Sequence, residues 1–241
     1  MNRNFLLLVI TGFFFPVNLF SQVRETDSVK KPQAPLRKYY TGNAFETATL
    51  STAMINKDAN GVATRSNGTI RFTALTNIGL TFNSNIDENF GAYTGIILKN
   101  IGYIQNTNGY TYKRRVYTIG APFGIKVGKL SVPEWYFFMG GGVDVPFNYR
   151  EKQYQVVTEK SKFNEWFSNR TPHFLPYVFA GFSPNIWWPT FKIQYYPGNF
   201  LNPDYSKNGV NPYAGNNVKL LMLTIGIRLD FKHLSNLAHL S

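Results

Sequence analysis

The chain of 241 residues contains no cysteine. That excludes disulfides, thiolate metal sites, a cysteine nucleophile and a lipid-modified N-terminal cysteine. Beyond the first fifteen residues no apolar run approaches the ~18 residues of a membrane-spanning helix. Histidine is scarce at three, and acids are outnumbered, 13 Asp and Glu against 25 Lys and Arg. No glycine loop is spaced to cradle a phosphate. The run Gly140–Gly142 lies inside an alternating stretch and opens no helix. No set of ligands has metal-site spacing, so neither a metal nor a cofactor is expected.

What is present begins with an export signal. Met1-Asn-Arg-Asn precedes an apolar run from Phe5 to Phe15, and Pro16 breaks it. A positive start and a short apolar core are the marks of a secretory signal, so residues 1–21 are read as a signal peptide. Formal net charge is +12. Nucleic acid, anionic lipid or acidic glycan would suit such a charge. Export and the lack of one dense basic tract argue against nucleic acid. Residues 22–44, polar and proline-containing, read as a flexible periplasmic leader.

Aromatics make up 17% of the chain, yet mean hydropathy is only −0.21. Alternation explains both. In Asn217–Phe231, one parity holds Leu221, Leu223, Ile225, Ile227, Leu229 and Phe231. The other holds Met222, Thr224, Gly226, Arg228 and Asp230. Side chains of a strand alternate faces, so one face is wholly apolar and the other small or polar. The same pattern, of varying clarity, recurs from about Phe45 to Ile55, Thr69 to Phe82, Phe90 to Tyr103, Arg115 to Val127, Trp135 to Tyr149, Phe174 to Phe182 and Thr190 to Tyr196. Eight strands result. Connections after the odd strands are long, including the polar stretch Arg150–Thr171, and those after the even strands are short. Long–short alternation through an even strand count is the rhythm of outer-membrane barrels. Trp135, Trp187 and Trp188 border the short turns, and Tyr103, Tyr117 and Tyr149 the long loops, where amphipathic rings would form interfacial belts. The fold expected is all-β: an eight-stranded antiparallel up-and-down transmembrane β-barrel over 45–231. A tail, 232–241, remains on the periplasmic side with the N-terminus, and the long loops are extracellular.

The signal ending Leu19-Phe-Ser-Gln22, Gly102-Tyr103, Gly140-Gly-Gly-Val-Asp144 and the closing Leu223-Thr-Ile-Gly-Ile-Arg-Leu-Asp-Phe231 resemble the small outer-membrane β-barrel proteins of Bacteroidota, the broad OmpA-like or PorT-like group. The resemblance spans about 45–231 and is one of pattern. It implies an envelope role without a catalytic signature. Members typically end near a terminal aromatic, whereas this chain continues to Ser241.

Eight strands leave an interior that side chains fill. Parity places Arg71, Lys126, Asp144, Lys192, Arg228 and Asp230 there, as a structural network of ion pairs. A narrow gated ion path is the alternative use of the same charges. Lys113, Arg114 and Arg115 form a basic cluster at the second long loop, suited to lipopolysaccharide phosphates. In the third loop, Lys162, Phe163, Trp166 and Phe167 are the candidate interaction surface, because such rings are costly in water. A lipid A-modifying enzyme would need a histidine, a hydroxyl and an acid at the outer rim. His173, Ser161, Ser168, Glu159 and Glu165 offer the residue types, but no spacing fixes their geometry. The function expected is non-enzymatic: an envelope or interaction protein, as an accessory subunit of a larger outer-membrane complex. Its partners are outer-membrane lipid, lipopolysaccharide and other outer-membrane proteins.

Overall fold

Residues 36, 38–59, 62–107, 109–131, 134–155, 158–184 and 189–227 are described by a computed structural model. The expected signal peptide over residues 1–21, Trp187, Trp188, Arg228, Asp230 and residues 232–241 lie outside these residues.

The alternating stretches form ten β-strands: β1 (Tyr39–Ala59), β2 (Val62–Asn67), β3 (Arg71–Asn85), β4 (Phe90–Thr107), β5 (Tyr110–Lys129), β6 (Trp135–Gln155), β7 (Thr158–Trp166), β8 (Leu175–Ser183), β9 (Pro189–Tyr196) and β10 (Asn216–Ile227). All pairings between them are antiparallel. β10 pairs β1 from Phe45↔Ile227 to Lys57↔Asn216, which closes the sheet on itself. Closure leaves no open edge in the ring.

The ring has eight members because β2 and β7 continue their neighbours. β1 pairs β3 up to Ser51↔Arg71 and then β2 from Met54↔Asn67 onward. The break at Gly68–Ile70 is bridged by Gly68 N donating to Ala53 O (2.6 Å) and Thr69 N to Ile104 O (2.8 Å). Likewise β6 pairs β8 up to Asp144↔Leu175 and β7 from Asn148↔Trp166. The expected eight-stranded antiparallel barrel is the observed fold.

Two expectations need correction. Arg150–Thr171 is not an open loop: β6 runs through Gln155 and β7 returns beside it, so a β-hairpin rises from the barrel. Lys113–Arg115 belongs to β5, which pairs with β4 as far as Thr107↔Tyr110. In both places the ladder outlasts the apolar alternation. The inward positions there carry Tyr, Arg and Glu, so the sequence looks like loop while the backbone remains paired. β1 also starts at Tyr39, ahead of the expected Phe45.

Large apolar side chains on every ring strand face outward and are exposed. They include Leu50, Phe72, Leu80, Ile96, Ile119, Phe123, Phe137, Met139, Val178, Ile193 and Leu223. Along β6 this face runs from Trp135 to Val145. Ten steps of about 3.3 Å at the usual barrel tilt give a band about 25 Å tall. The inward face holds Ile101, Tyr103, Val116, Tyr149, Tyr196 and Leu220, all buried. A β-bulge re-aims the upper part of β6. Tyr117 pairs with Asn148 but Thr118 with Pro146, so Phe147 has no cross-strand partner. Beyond it Tyr149 and Glu151 turn inward. Tyr149 and Tyr103 are therefore interior residues rather than members of an outer aromatic belt. Tyr117, Phe147 and Trp166 take that place, with ring centroids 6.4 and 5.9 Å apart along the row.

Candidate functional site

The interior carries two polar layers. The lower one lies at the end where β1 begins. Lys99 Nζ sits 2.9 Å from Asp144 Oδ1, both almost wholly buried. Tyr196 Oη donates to Asp144 Oδ2 at 2.5 Å, and the Lys99 ammonium lies 3.6 Å from the Tyr177 ring centroid. Gly120 makes this arrangement possible: a Cβ there would collide with Asp144 Oδ1 and stand 3.1 Å from Lys99 Nζ. Glu46 accepts from Lys192 and Asn77. Lys126 donates to Asn85 (2.7 Å), Asn83 (3.2 Å) and Tyr40 (3.0 Å). A cavity of about 120 Å³ lies among these groups, lined also by Tyr93, Ile97, Phe138 and Phe179.

The upper layer is built on the hairpins. Arg114 Nε donates to Glu151 Oε2 at 2.7 Å, and its Nη1 to Gln105 at 2.6 Å and Tyr103 at 3.3 Å. Tyr149 Oη donates to the same Glu151 oxygen at 2.7 Å and lies 3.3 Å from Tyr213 Oη. Arg170 reaches Tyr213 at 3.0 Å and grips Glu165 with two nitrogens, at 2.7 and 3.1 Å. Its guanidinium lies over Phe163 and Tyr205, 4.5 and 4.6 Å from their centroids. Lys207 closes on Glu165 at 3.3 Å. Hydrogen bonds from Arg170 hold the Glu165 carboxyl down at about 2, against the pull of its partial burial. Burial lowers the Arg170 pKa, but its bonds to Glu165 and Tyr213 outweigh that and raise it. One chain of contacts thus ties β5, β6 and β7 to the segment before β10.

Of the residues expected in the lumen, Lys126, Asp144 and Lys192 take part in the lower layer. Arg71 does not join its ion pairs. It donates to Asn100 Oδ1 at 3.0 Å, where the β3–β4 ladder has already ended at Ile78↔Leu98. Glu46 and Lys99 were not singled out by sequence. Lys99 shares its parity with Tyr93, Ile97, Ile101 and Tyr103, so that face read as apolar. Its one signal was a lone charge among large rings. Glu46 sits in the weakly patterned first strand.

The basic cluster divides. Arg114 is buried and paired with Glu151, and only Lys113 and Arg115 stand on the outer face, so the expected three-residue contact reduces to two. The interaction surface divides as well. Phe163 packs inward, 6.0 Å from the Tyr149 ring. Trp166 and Phe167 remain largely exposed. Phe167, at φ 51°, follows the last residue of β7 and donates its N–H to Phe147 O. Ser168 donates to Glu165 at 2.9 Å, but that carboxylate is occupied by Arg170 and Lys207. His173 is exposed and bonds to neither among the described residues. Among the described residues, which leave out the Glu159 side chain, no nucleophile, base and orienter meet there.

No family model and no curated protein match this chain. The solved structures similar to this chain include two of Ail, the attachment invasion locus protein of Yersinia pestis, one of them in complex with the heparin analogue sucrose octasulfate. Each is 14% identical over 78% of this chain and 99% of that chain, with TM-scores of 0.28 and 0.27.

Proposed function

We propose that the chain is an integral outer-membrane β-barrel protein with a non-enzymatic envelope or interaction role, as an accessory subunit of a larger outer-membrane complex. One observation carries the membrane reading. All eight ring strands expose large apolar side chains outward, in a band about as tall as a bilayer's hydrocarbon core. A water-soluble surface does not carry so continuous an apolar belt. At the height of this band the charges Lys99, Asp144, Lys192 and Glu46 lie inside, paired, which is the reverse of a soluble barrel. The N-terminal signal supports export. In this reading the hairpins β1–β2, β4–β5 and β6–β7 project to the cell exterior, and both termini are periplasmic.

The interior argues for a role without conduction or catalysis. Lys99–Asp144 and Lys192–Glu46 neutralise each other across the lumen, and Tyr93, Phe138, Tyr177 and Phe179 line the cavity beside them. The exposed pair Trp166 and Phe167 offers the partner surface. The test is twofold. The full-length protein should fractionate with outer membranes and migrate faster unheated than boiled, and it should give no conductance steps in a planar bilayer. A chain recovered in the soluble periplasm overturns the membrane reading. Steady conductance overturns the closed lumen. Deleting residues 159–169 should remove partners that co-purify from native membranes, and retention of every partner excludes this surface.

A further inference from the structure

Four cross-strand pairs in the lower interior join a ring to a glycine. They are Tyr93↔Gly124 across β4 and β5, and Phe138↔Gly181, Gly140↔Phe179 and Gly142↔Tyr177 across β6 and β8. In each pair the ring takes the place of a Cβ. A Cβ on Gly124 would stand 2.8 Å from the Tyr93 ring, one on Gly140 2.9 Å from Phe179 and one on Gly142 2.5 Å from the Tyr177 hydroxyl, while one on Gly181 would run into Phe138. The rings therefore lie along the wall instead of across the lumen. Tyr93, Phe138 and Phe179 form a triad with centroids 6.2 to 6.3 Å apart. The space left inside is the cavity of about 120 Å³. Eight strands enclose either packed side chains or one small ligand, and these glycines keep open the room for a ligand. Lys99, Lys126, Lys192 and Glu46 border the cavity. Each is engaged: Lys99 with Asp144, Lys192 with Glu46, and Lys126 with Asn85, Asn83 and Tyr40. Tyr177 differs. Its hydroxyl is buried with no hydrogen-bond partner among the described residues. It lies over Gly142, whose other neighbour is Pro122, and Tyr177 and Pro122 both line the cavity.

We propose that the cavity binds one small neutral aromatic molecule carrying a single hydroxyl or carbonyl group. Size sets the first limit. An apolar cavity of about 150 Å³ takes up benzene, so about 120 Å³ admits one ring and little more. The walls set the second, because ring faces and edges suit another ring. Charge sets the third. The ammonium and carboxylate groups of the lining already have partners, so an ion would enter without one of its own and lose its hydration. Tyr177 Oη supplies the one polar contact, and a ligand oxygen relieves the cost of leaving that hydroxyl unbonded. The lining reaches Tyr40, Tyr136, Thr190 and Ile227 at the strand ends. The ligand therefore enters from the end where β1 begins.

The inference goes beyond the membrane reading and does not depend on it, since the cavity lies inside the ring whatever surrounds the wall. Its test uses full-length protein folded in detergent and fluorine NMR of 4-fluorophenol. Micelles take up the probe in proportion to its concentration, whereas the site saturates at one probe per barrel. Ile97 lines the cavity, and Ile97→Phe should fill it and abolish the saturable component. Tyr177→Phe should weaken 4-fluorophenol about tenfold, the loss of one hydrogen bond, and leave fluorobenzene within about twofold of its affinity for the parent. 4-Fluorobenzoate should bind about tenfold more weakly than 4-fluorophenol, or worse, because burying its charge is costly. Faster migration unheated than boiled verifies that each variant has folded. Should Ile97→Phe not fold, Tyr177→Phe, which loses a single oxygen, decides the matter. Uptake that never saturates, or that a folded Ile97→Phe retains, leaves only water or detergent in the cavity and overturns the inference. So does a Tyr177→Phe variant that treats 4-fluorophenol and fluorobenzene alike, and so does a preference for 4-fluorobenzoate. None of these outcomes bears on whether the barrel enters the membrane, so the two readings fail separately.

Discussion

The two interior layers use the same currency of opposite charges and differ in who carries the positive one. Below, it is lysine: Lys99, Lys126 and Lys192, beside a cavity. Above, it is arginine: Arg114 and Arg170, each in a fork of hydrogen bonds with rings stacked on its plane. An ammonium is a compact point charge on a flexible stem, whereas a guanidinium is planar and fixes the orientation of what it binds. The lysine layer sits in a wall already made rigid by the closed ladder and needs only charge balance. The arginine layer has hairpins to hold together and no continuous ring around them, and so it uses a directional cation. One layer neutralises and the other fastens.

The largest effect that separates them is loss of Asp144. Asp144→Ala leaves Lys99 buried without its carboxylate, at a cost of about 3–5 kcal/mol. Urea unfolding of the protein refolded into vesicles should show it, with Asp144→Ala/Lys99→Met recovering most of the loss. Equal stability of the single variant and the parent would mean that water in the cavity, and not Asp144, solvates Lys99.

Arg170→Ala should act differently. Glu165 is partly exposed, so the ion pair itself counts for little after screening. Most of the effect, about 1–2 kcal/mol, comes from the stacked rings and the Tyr213 bond. It should be local. Trypsin should cut within 158–171 several times faster, while the barrel's unfolding midpoint stays put. A shifted midpoint would show that the upper layer also holds the ring.

The smallest effect follows from Glu165. Its carboxyl is held at about 2, below the ordinary 4.5. A depressed acid stabilises the fold above its unfolded value and loses that contribution as pH falls toward the folded one. Protease resistance of the hairpin should therefore hold down to about pH 4.5 and decline between there and pH 2, as measured with an acid protease. Glu165→Gln should show a flat profile over that window. A parent profile as flat as the variant's would break the link between Glu165 and hairpin docking.

Sequence reading was reliable where alternation was clean and lipid-like on one face. β5 shows this: Ile119, Phe123 and Val127 face outward as their parity requires. It failed where both faces look alike. β4 presents Ile96 and Leu98 outward and Ile97, Ile101 and Tyr103 inward, so apolarity could not tell lipid from lumen, and Lys99 was missed. Above the Phe147 bulge the frame shifts by one, which no periodicity reveals in advance. That shift turned Tyr149 and Glu151 inward. The hairpins were hidden for a related reason, since their inward residues are polar and pair only with one another in space. Glycine gave a usable signal. Gly140 and Gly142 share a parity that suits a crowded interior, and at Gly142 a Cβ would stand 2.5 Å from the Tyr177 hydroxyl.

The central claim is that lipid, not water, faces the outer wall. The chain's lack of cysteine makes that directly measurable. Single substitutions Leu80→Cys, Phe123→Cys, Ile193→Cys and Leu223→Cys, compared with Tyr110→Cys at the hairpin turn, should be probed in intact membranes with a water-soluble maleimide. The account predicts that Tyr110→Cys labels readily, while the four wall positions stay unlabelled until the protein is unfolded. Rapid labelling of the wall positions in intact membranes would contradict it.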